Sequence, residues 1–135
     1  MTQTEKIKRT VPGAELFFGE SVAQYLADLS DEAYAEETET EGLLLGRIYH
    51  DDGGEYAVIS GVSGDLAQMK DAVGWFRSSD GRCDIDQSDV RRIISLFGYV
   101  RVYVIAVDYS QGAMAMYAVE NGVARKVPSA MIENF

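Results

Sequence analysis

Histidine and cysteine are nearly absent from this sequence: the 135 residues contain one of each, His50 and Cys83. A lone cysteine excludes an internal disulfide, and no zinc-knuckle spacing surrounds it, so a reducing, intracellular compartment is expected. One imidazole also leaves few ways to assemble a zinc site from three protein ligands and a water. Positive charge is scarce as well, with 12 basic against 22 acidic residues and a formal charge of -10. That balance disfavours general attraction to nucleic acid or anionic lipid, so the partner expected is a neutral or basic protein. No apolar run is long enough to cross a bilayer, and Met1 to Thr10 has no signal-peptide core. The expectation is a soluble, cytoplasmic protein that binds neither membrane nor nucleic acid.

Hydrophobic residues make up 47% of the chain, enough for one core and, at this length, too little for two. Residues 1–12, with Lys6, Lys8 and Arg9, read as a flexible N-terminal arm, and residues 13–135 as the domain. Ala14 to Phe18 is a short strand candidate. Glu20 and Ser21 then start a helix that places Val22, Tyr25, Leu26 and Leu29 on one face. Ser30 to Glu41 is dense in carboxylates and reads as a solvated connection. Gly42 to Tyr49 and Tyr56 to Val62 form a hairpin around Asp51-Asp52-Gly53-Gly54, Gly61 to Lys70 is loop-like, and a strand runs from Ala72 to Arg77.

A second helix is capped by Asp86 or Ser88, repeats Val90, Ile93, Ile94 and Phe97 on one face, and stops at Gly98. Val100 to Val107 is a central strand closed by Asp108. After a turn over Tyr109 to Gly112, Ala113 to Val119 and Val123 to Val127 pair across Asn121-Gly122, and Pro128 ends the sheet. Strand, helix, three strands, helix, three strands is an α/β order with a mixed, largely antiparallel sheet flanked by two main helices.

Two stretches carry the functional signal. Val73-Gly74-Trp75-Phe76-Arg77-Ser78-Ser79-Asp80-Gly81 is an apolar strand running into a polar loop, its end fixed in the core by the only tryptophan. Upstream, Glu39-Thr40-Glu41-Gly42 precedes Leu43-Leu44-Leu45-Gly46. Together they resemble the JAB/MPN (Mov34) superfamily. Its metalloenzyme members carry Glu-x-x-Gly before a strand and then Gly-Trp-[Tyr/Phe]-His-Ser-His-Pro-Gly, with an aspartate further along. The resemblance extends in element order from about Ala14 to Val127 and implies one JAB/MPN-like, cytidine-deaminase-like domain. In that family the two histidines and the aspartate bind zinc, and the glutamate serves the metal-bound water. Here Glu39 matches the glutamate and Asp89 the aspartate, but Arg77 and Ser79 stand in place of the histidines. The resemblance thus implies the fold without the chemistry: vestigial positions Glu39, Arg77, Ser79 and Asp89, no catalytic residue, no metal and no cofactor.

Read without the resemblance, Glu39 is a carboxylate before a strand that can bond a backbone N–H or Arg77, and Asp89 a first-turn carboxylate favoured by the helix dipole. Arg77 in the vacated position is expected to neutralise Glu39, Asp89 or both. Ser78 and Ser79 lack a nearby histidine base and a Gly-x-Ser-x-Gly elbow, and Asp84 and Asp86 disfavour a thiolate at Cys83. Met114, Met116 and Tyr117 are expected in core packing or as an interaction surface. The expected function is a catalytically inactive assembly module that binds a protein partner or itself as a dimer. Alternatives are a metal-dependent isopeptidase or peptidase with a degenerate site, and a small-ligand or peptide binder using the 77–86 loop.

Overall fold

The computed structural model describes residues 13–132, so the expected arm over residues 1–12 lies outside the described residues, as do residues 133–135. The chain runs β1 (Leu16–Gly19), α1 (Glu20–Glu36), β2 (Thr40–Asp51), β3 (Gly54–Ser63), a short 3-10 segment (Leu66–Asp71), β4 (Ala72–Ser79), α2 (Gln87–Phe97), β5 (Val102–Asp108), β6 (Ala113–Glu120), β7 (Val123–Lys126) and β8 (Ser129–Ile132). The eight strands form one sheet in the order β7-β6-β5-β4-β2-β3-β1-β8. It is mixed. β4 pairs parallel with β5, and β1 parallel with both β3 and β8, while the other pairings are antiparallel. No helix among the described residues is long and apolar enough to cross a membrane.

β7 and β8 are separated by Val127 and Pro128 alone, yet they stand at opposite ends of the strand order. The sheet must therefore curl until its ends approach each other. Arg125 on β7 closes that seam by pairing both terminal nitrogens with Glu15, at 2.6 and 3.0 Å, and the Pro128 carbonyl accepts from the Glu15 and Leu16 amides. On one face, Leu16, Phe18, Leu44, Phe76, Ile105 and Val107 pack with Val22 and Leu26 of α1. On the other, Trp75, Val102, Val104 and Ala106 pack with Ile93 of α2. Alternation along β4 and β5 supplies both cores, and every residue of β5 is buried, as a strand covered on each side requires. The leucine run of β2 packs tightly between its neighbours, since a Cβ on Gly42 would lie 2.6 Å from the Ser63 carbonyl oxygen and one on Gly46 would strike that of Val58.

Several expected boundaries move. α1 continues to Glu36 instead of dissolving at Ser30, because Ser30 and Ala33 extend the buried stripe of Val22 and Leu26. The Ser30 hydroxyl donates to the Leu26 carbonyl, and Glu37 ends the helix in a left-handed conformation. Tyr25 is exposed, not part of that stripe. β3 extends to Ser63 and the 3-10 segment takes the second half of the expected loop. β5 starts at Val102, leaving Tyr99 and Val100 exposed. Pro128 does not end the sheet: it lacks only an N–H, and the chain beyond it pairs with β1 as β8.

Candidate functional site

β4 runs two residues past Arg77, so Ser78 and Ser79 are buried strand residues and not the start of a loop. Alternation turns Trp75, Arg77 and Ser79 toward α2, and Phe76 and Ser78 toward α1. Glu41 lies directly opposite Arg77 across the β2–β4 ladder and on the same face. Its carboxylate accepts the Trp75 indole N–H at 2.9 Å and a two-nitrogen contact from Arg92 of α2, the shorter bond 2.7 Å. Those bonds, that of Arg92 foremost, hold the Glu41 carboxyl below the usual glutamate range against an opposing effect of burial.

Arg77 is the most deeply buried charge of the site. Its side chain is 5% exposed, and Nη1 donates to Asp89 Oδ2 at 2.7 Å. Nη2 donates to the carbonyls of Asp84, at 3.0 Å, and Arg82, at 3.3 Å. Asp89 is held from three further directions. Arg82 Nη2 donates to Oδ2, the Asp86 amide donates to the same oxygen, and the Asp89 amide donates to Asp86 Oδ1. The last two bonds form a reciprocal cap at the start of α2, so Asp86, not Ser88, is the cap.

Arg77 thereby fastens the segment between β4 and α2 to the sheet, and other side chains complete the fastening. Asp108 Oδ1 accepts the Gly81 amide at 2.8 Å, the Tyr117 hydroxyl donates to the Cys83 carbonyl at 3.0 Å, and Cys83 Sγ donates to the Ala113 carbonyl. The Ser110 hydroxyl and the backbone N–H groups of Gly81, Ser110 and Gln111 keep the Asp108 carboxyl below the usual aspartate range. Arg77 Nε and the hydroxyls of Ser78 and Ser79 are buried and have no hydrogen-bond partner among the described residues.

A cleft of about 300 Å³ opens between the start of β2 and the start of α2, lined by Glu39, Glu41, Trp75, Arg77, Asp89 and Arg92 among others. The structure thus brings together three of the four expected positions, Glu39, Arg77 and Asp89. Ser79 lies one turn of the pleat further, outside that lining. Arg77 bonds Asp89 but not Glu39, whose place opposite the guanidinium is taken by Glu41. Sequence reading missed Glu41 and Arg92 as members of the site. The two-residue spacing from Glu39 to Glu41 was a signal, since it puts both carboxylates on one face of a strand, but nothing marked Arg92 as their partner.

Other expected residues scatter. Met114 and Met116 face the α1 side of the sheet, whereas Tyr117 is buried on the α2 side, so the three do not form one surface. β7 pairs with β6 only from Tyr117 to Glu120, so the half of β6 that carries Met114 and Met116 lies beyond that pairing. His50 sits in the exposed β2–β3 hairpin, 3.6 Å from Glu55. Among the described residues no group of three or more His, Cys, Asp or Glu side chains is placed to hold a metal ion. Arg77 and Arg82 both pair with the Asp89 carboxylate.

No protein-family model matches the chain, and no curated protein matches it. Among solved structures, the chain is similar to the solution structure of protein DSY2949 from Desulfitobacterium hafniense, with a TM-score of 0.67 and 14% identity over 89% of this chain and 94% of that one. At that identity the likeness is one of fold.

Proposed function

We propose that this chain is a catalytically silent JAB/MPN-like domain that works as a protein-interaction or assembly module. The observation that carries the reading is the Arg77–Asp89 pair at 2.7 Å in the cleft between β2 and α2. In the motif frame the chain resembles, position 77 belongs to a metal-binding histidine and position 89 to a metal-binding aspartate. A guanidinium that takes up the aspartate and two backbone carbonyls supplies the positive charge there and leaves no donor set for zinc. A guanidinium stays protonated, so it neither activates a water nor serves as a general base. With hydrolysis unsupported, a small, firmly built acidic domain is read as one that holds another protein. The test is light scattering at micromolar concentration together with recovery of a tagged chain from lysate of its source. A dimer or a stoichiometric complex is expected. A strict monomer that recovers no partner would contradict the reading.

A further inference from the structure

On the face of the sheet opposite Arg77, α1 and the β5–β6 turn enclose a groove of about 150 Å³. Leu26 and Ala27 of α1, Val107 of β5 and Met114 of β6 form apolar parts of its lining, Tyr109 adds an aromatic ring, and among the described residues Asp31 is the one charged member of the lining. An aliphatic cavity of about this volume takes a benzene-sized apolar group, which sets the scale of what fits: one large apolar side chain. Met114 is 40% exposed at the groove, and a flexible thioether adapts to side chains of different shape. Apolar surface continues past the groove, since the exposed Tyr34 ring meets Tyr109 edge-on at 6.1 Å between centroids.

The α1 side of the groove is acidic. α1 carries Glu20, Asp28, Asp31, Glu32 and Glu36 and no basic residue, and no lysine, arginine or histidine occurs from Gly13 to Gly46. Burial, and after it the carboxylates of Asp80, Glu39, Glu37 and Asp108, push the Tyr109 hydroxyl up, so negative charge converges on this end of the groove from the α1–β2 link, the β4–α2 segment and β5. An apolar slot in such a field favours one chemistry. Apolar contact supplies an anchor, and the field attracts cations around it while repelling acidic segments.

We infer that the groove between α1 and the β5–β6 turn is the docking site for a basic segment of a partner protein, in which one large apolar side chain fills the slot and flanking lysines or arginines meet Asp31 and the α1 carboxylates. This rests on the reading of the chain as an interaction module and gives the partner its chemistry.

The test uses the full chain against a randomised dodecapeptide display library, with Ala27→Phe to fill the slot and Asp31→Lys to reverse its charge. Ala27 is exposed on the middle of α1, so the phenylalanine should leave the thermal midpoint intact and any lost binding reports the groove. Enriched clones should carry a leucine, methionine or aromatic residue among lysines and arginines. A synthetic peptide of the enriched consensus should bind at least tenfold more weakly to Ala27→Phe and to Asp31→Lys, and replacing its apolar anchor by asparagine should cost a similar factor. No enrichment, clones without basic flanks, or peptides that bind Ala27→Phe as well as the parent would overturn the inference. So would a homodimer that Ala27→Phe dissociates, since the occupant would then be a second copy. A tagged chain that still recovers a partner from lysate while the library yields no groove-dependent clone overturns the groove alone. A strict monomer without any partner overturns the interaction reading with it.

Discussion

Arg77 Nη1 and Asp89 Oδ2 lie 2.7 Å apart, with the two side chains 5% and 9% exposed. A pair this deeply buried is a weak argument for net stability, because desolvating both charges offsets much of their attraction. It is a strong argument for the cost of breaking it. Removing one partner strands the other in a site built for two. Arg77 also fastens two carbonyls of the β4–α2 segment, so its loss frees backbone as well as charge.

Arg77→Ala should therefore lower unfolding free energy by about 3–5 kcal/mol in urea titrations, toward the lower figure because Arg82 still reaches Asp89. Arg77→Lys should recover part of this, since an ammonium replaces the charge but not the planar set of donors. Arg91→Ala, on the exposed side of α2, is the comparison and should stay within about 0.5 kcal/mol. Arg82 is unsuitable as the neutral control, being bonded to Asp84 and Asp89 itself. Equal, small effects at positions 77 and 91 would show that the pair carries no structural weight.

Glu41 gives the chain an acid-sensitive optical signal. Its carboxylate holds the single tryptophan and Arg92, and its folded-state pKa lies below its unfolded value. The stabilisation it contributes is therefore complete above the ordinary glutamate value of about 4.3 and is lost as pH falls through the lower folded value. Both groups of the Glu41–Arg92 pair are more than one-third exposed, so its contribution should not exceed about 1 kcal/mol. Trp75 fluorescence should shift with a midpoint below 4.3, and Glu41→Gln should remove that step while keeping an acceptor for the indole. A transition unchanged in Glu41→Gln would assign it to another carboxylate.

Asp108 links the end of β5 to the β4–α2 segment through Gly81, and to the following turn through the Ser110 amide and hydroxyl. Its lowered pKa means that this link is fully present above about pH 3.9 and fades as pH falls through the folded value. Asp108→Ala should speed hydrogen exchange at the Gly81 amide by at least tenfold while leaving β2 and β3 amides unchanged. Uniform acceleration through the sheet would instead mark a global loss of stability.

The elements that sequence reading located well are those whose pattern is local. α2 announces itself through Val90, Ile93, Ile94 and Phe97 and a glycine stop, and the strands through β-branched runs and the Asp-Gly and Asn-Gly turns. α1 was cut short because its last two turns bury Ser30 and Ala33, small residues that a search for large apolar ones passes over. β8 was missed because a four-residue strand is recognisable only by its partner, here β1 at the far end of the chain. The same limit governs the site. Arg77 and Asp89 are expected together from the motif that the chain resembles, whereas the Glu41–Arg92 contact joins residues 51 positions apart and leaves no local trace. Met114 and Met116 alternate with Tyr117 along β6, and a strand sends neighbours to opposite faces, so Tyr117 parts from the methionines.

Zinc content tests the central claim most directly. The protein, purified and then dialysed against buffer containing excess zinc followed by buffer without it, should retain far less than one zinc per chain by elemental analysis, and EDTA should leave its thermal midpoint unmoved. One tightly held zinc per chain, with a midpoint that falls on chelation, would contradict the assignment of Arg77 as the fixed cation of a silent site.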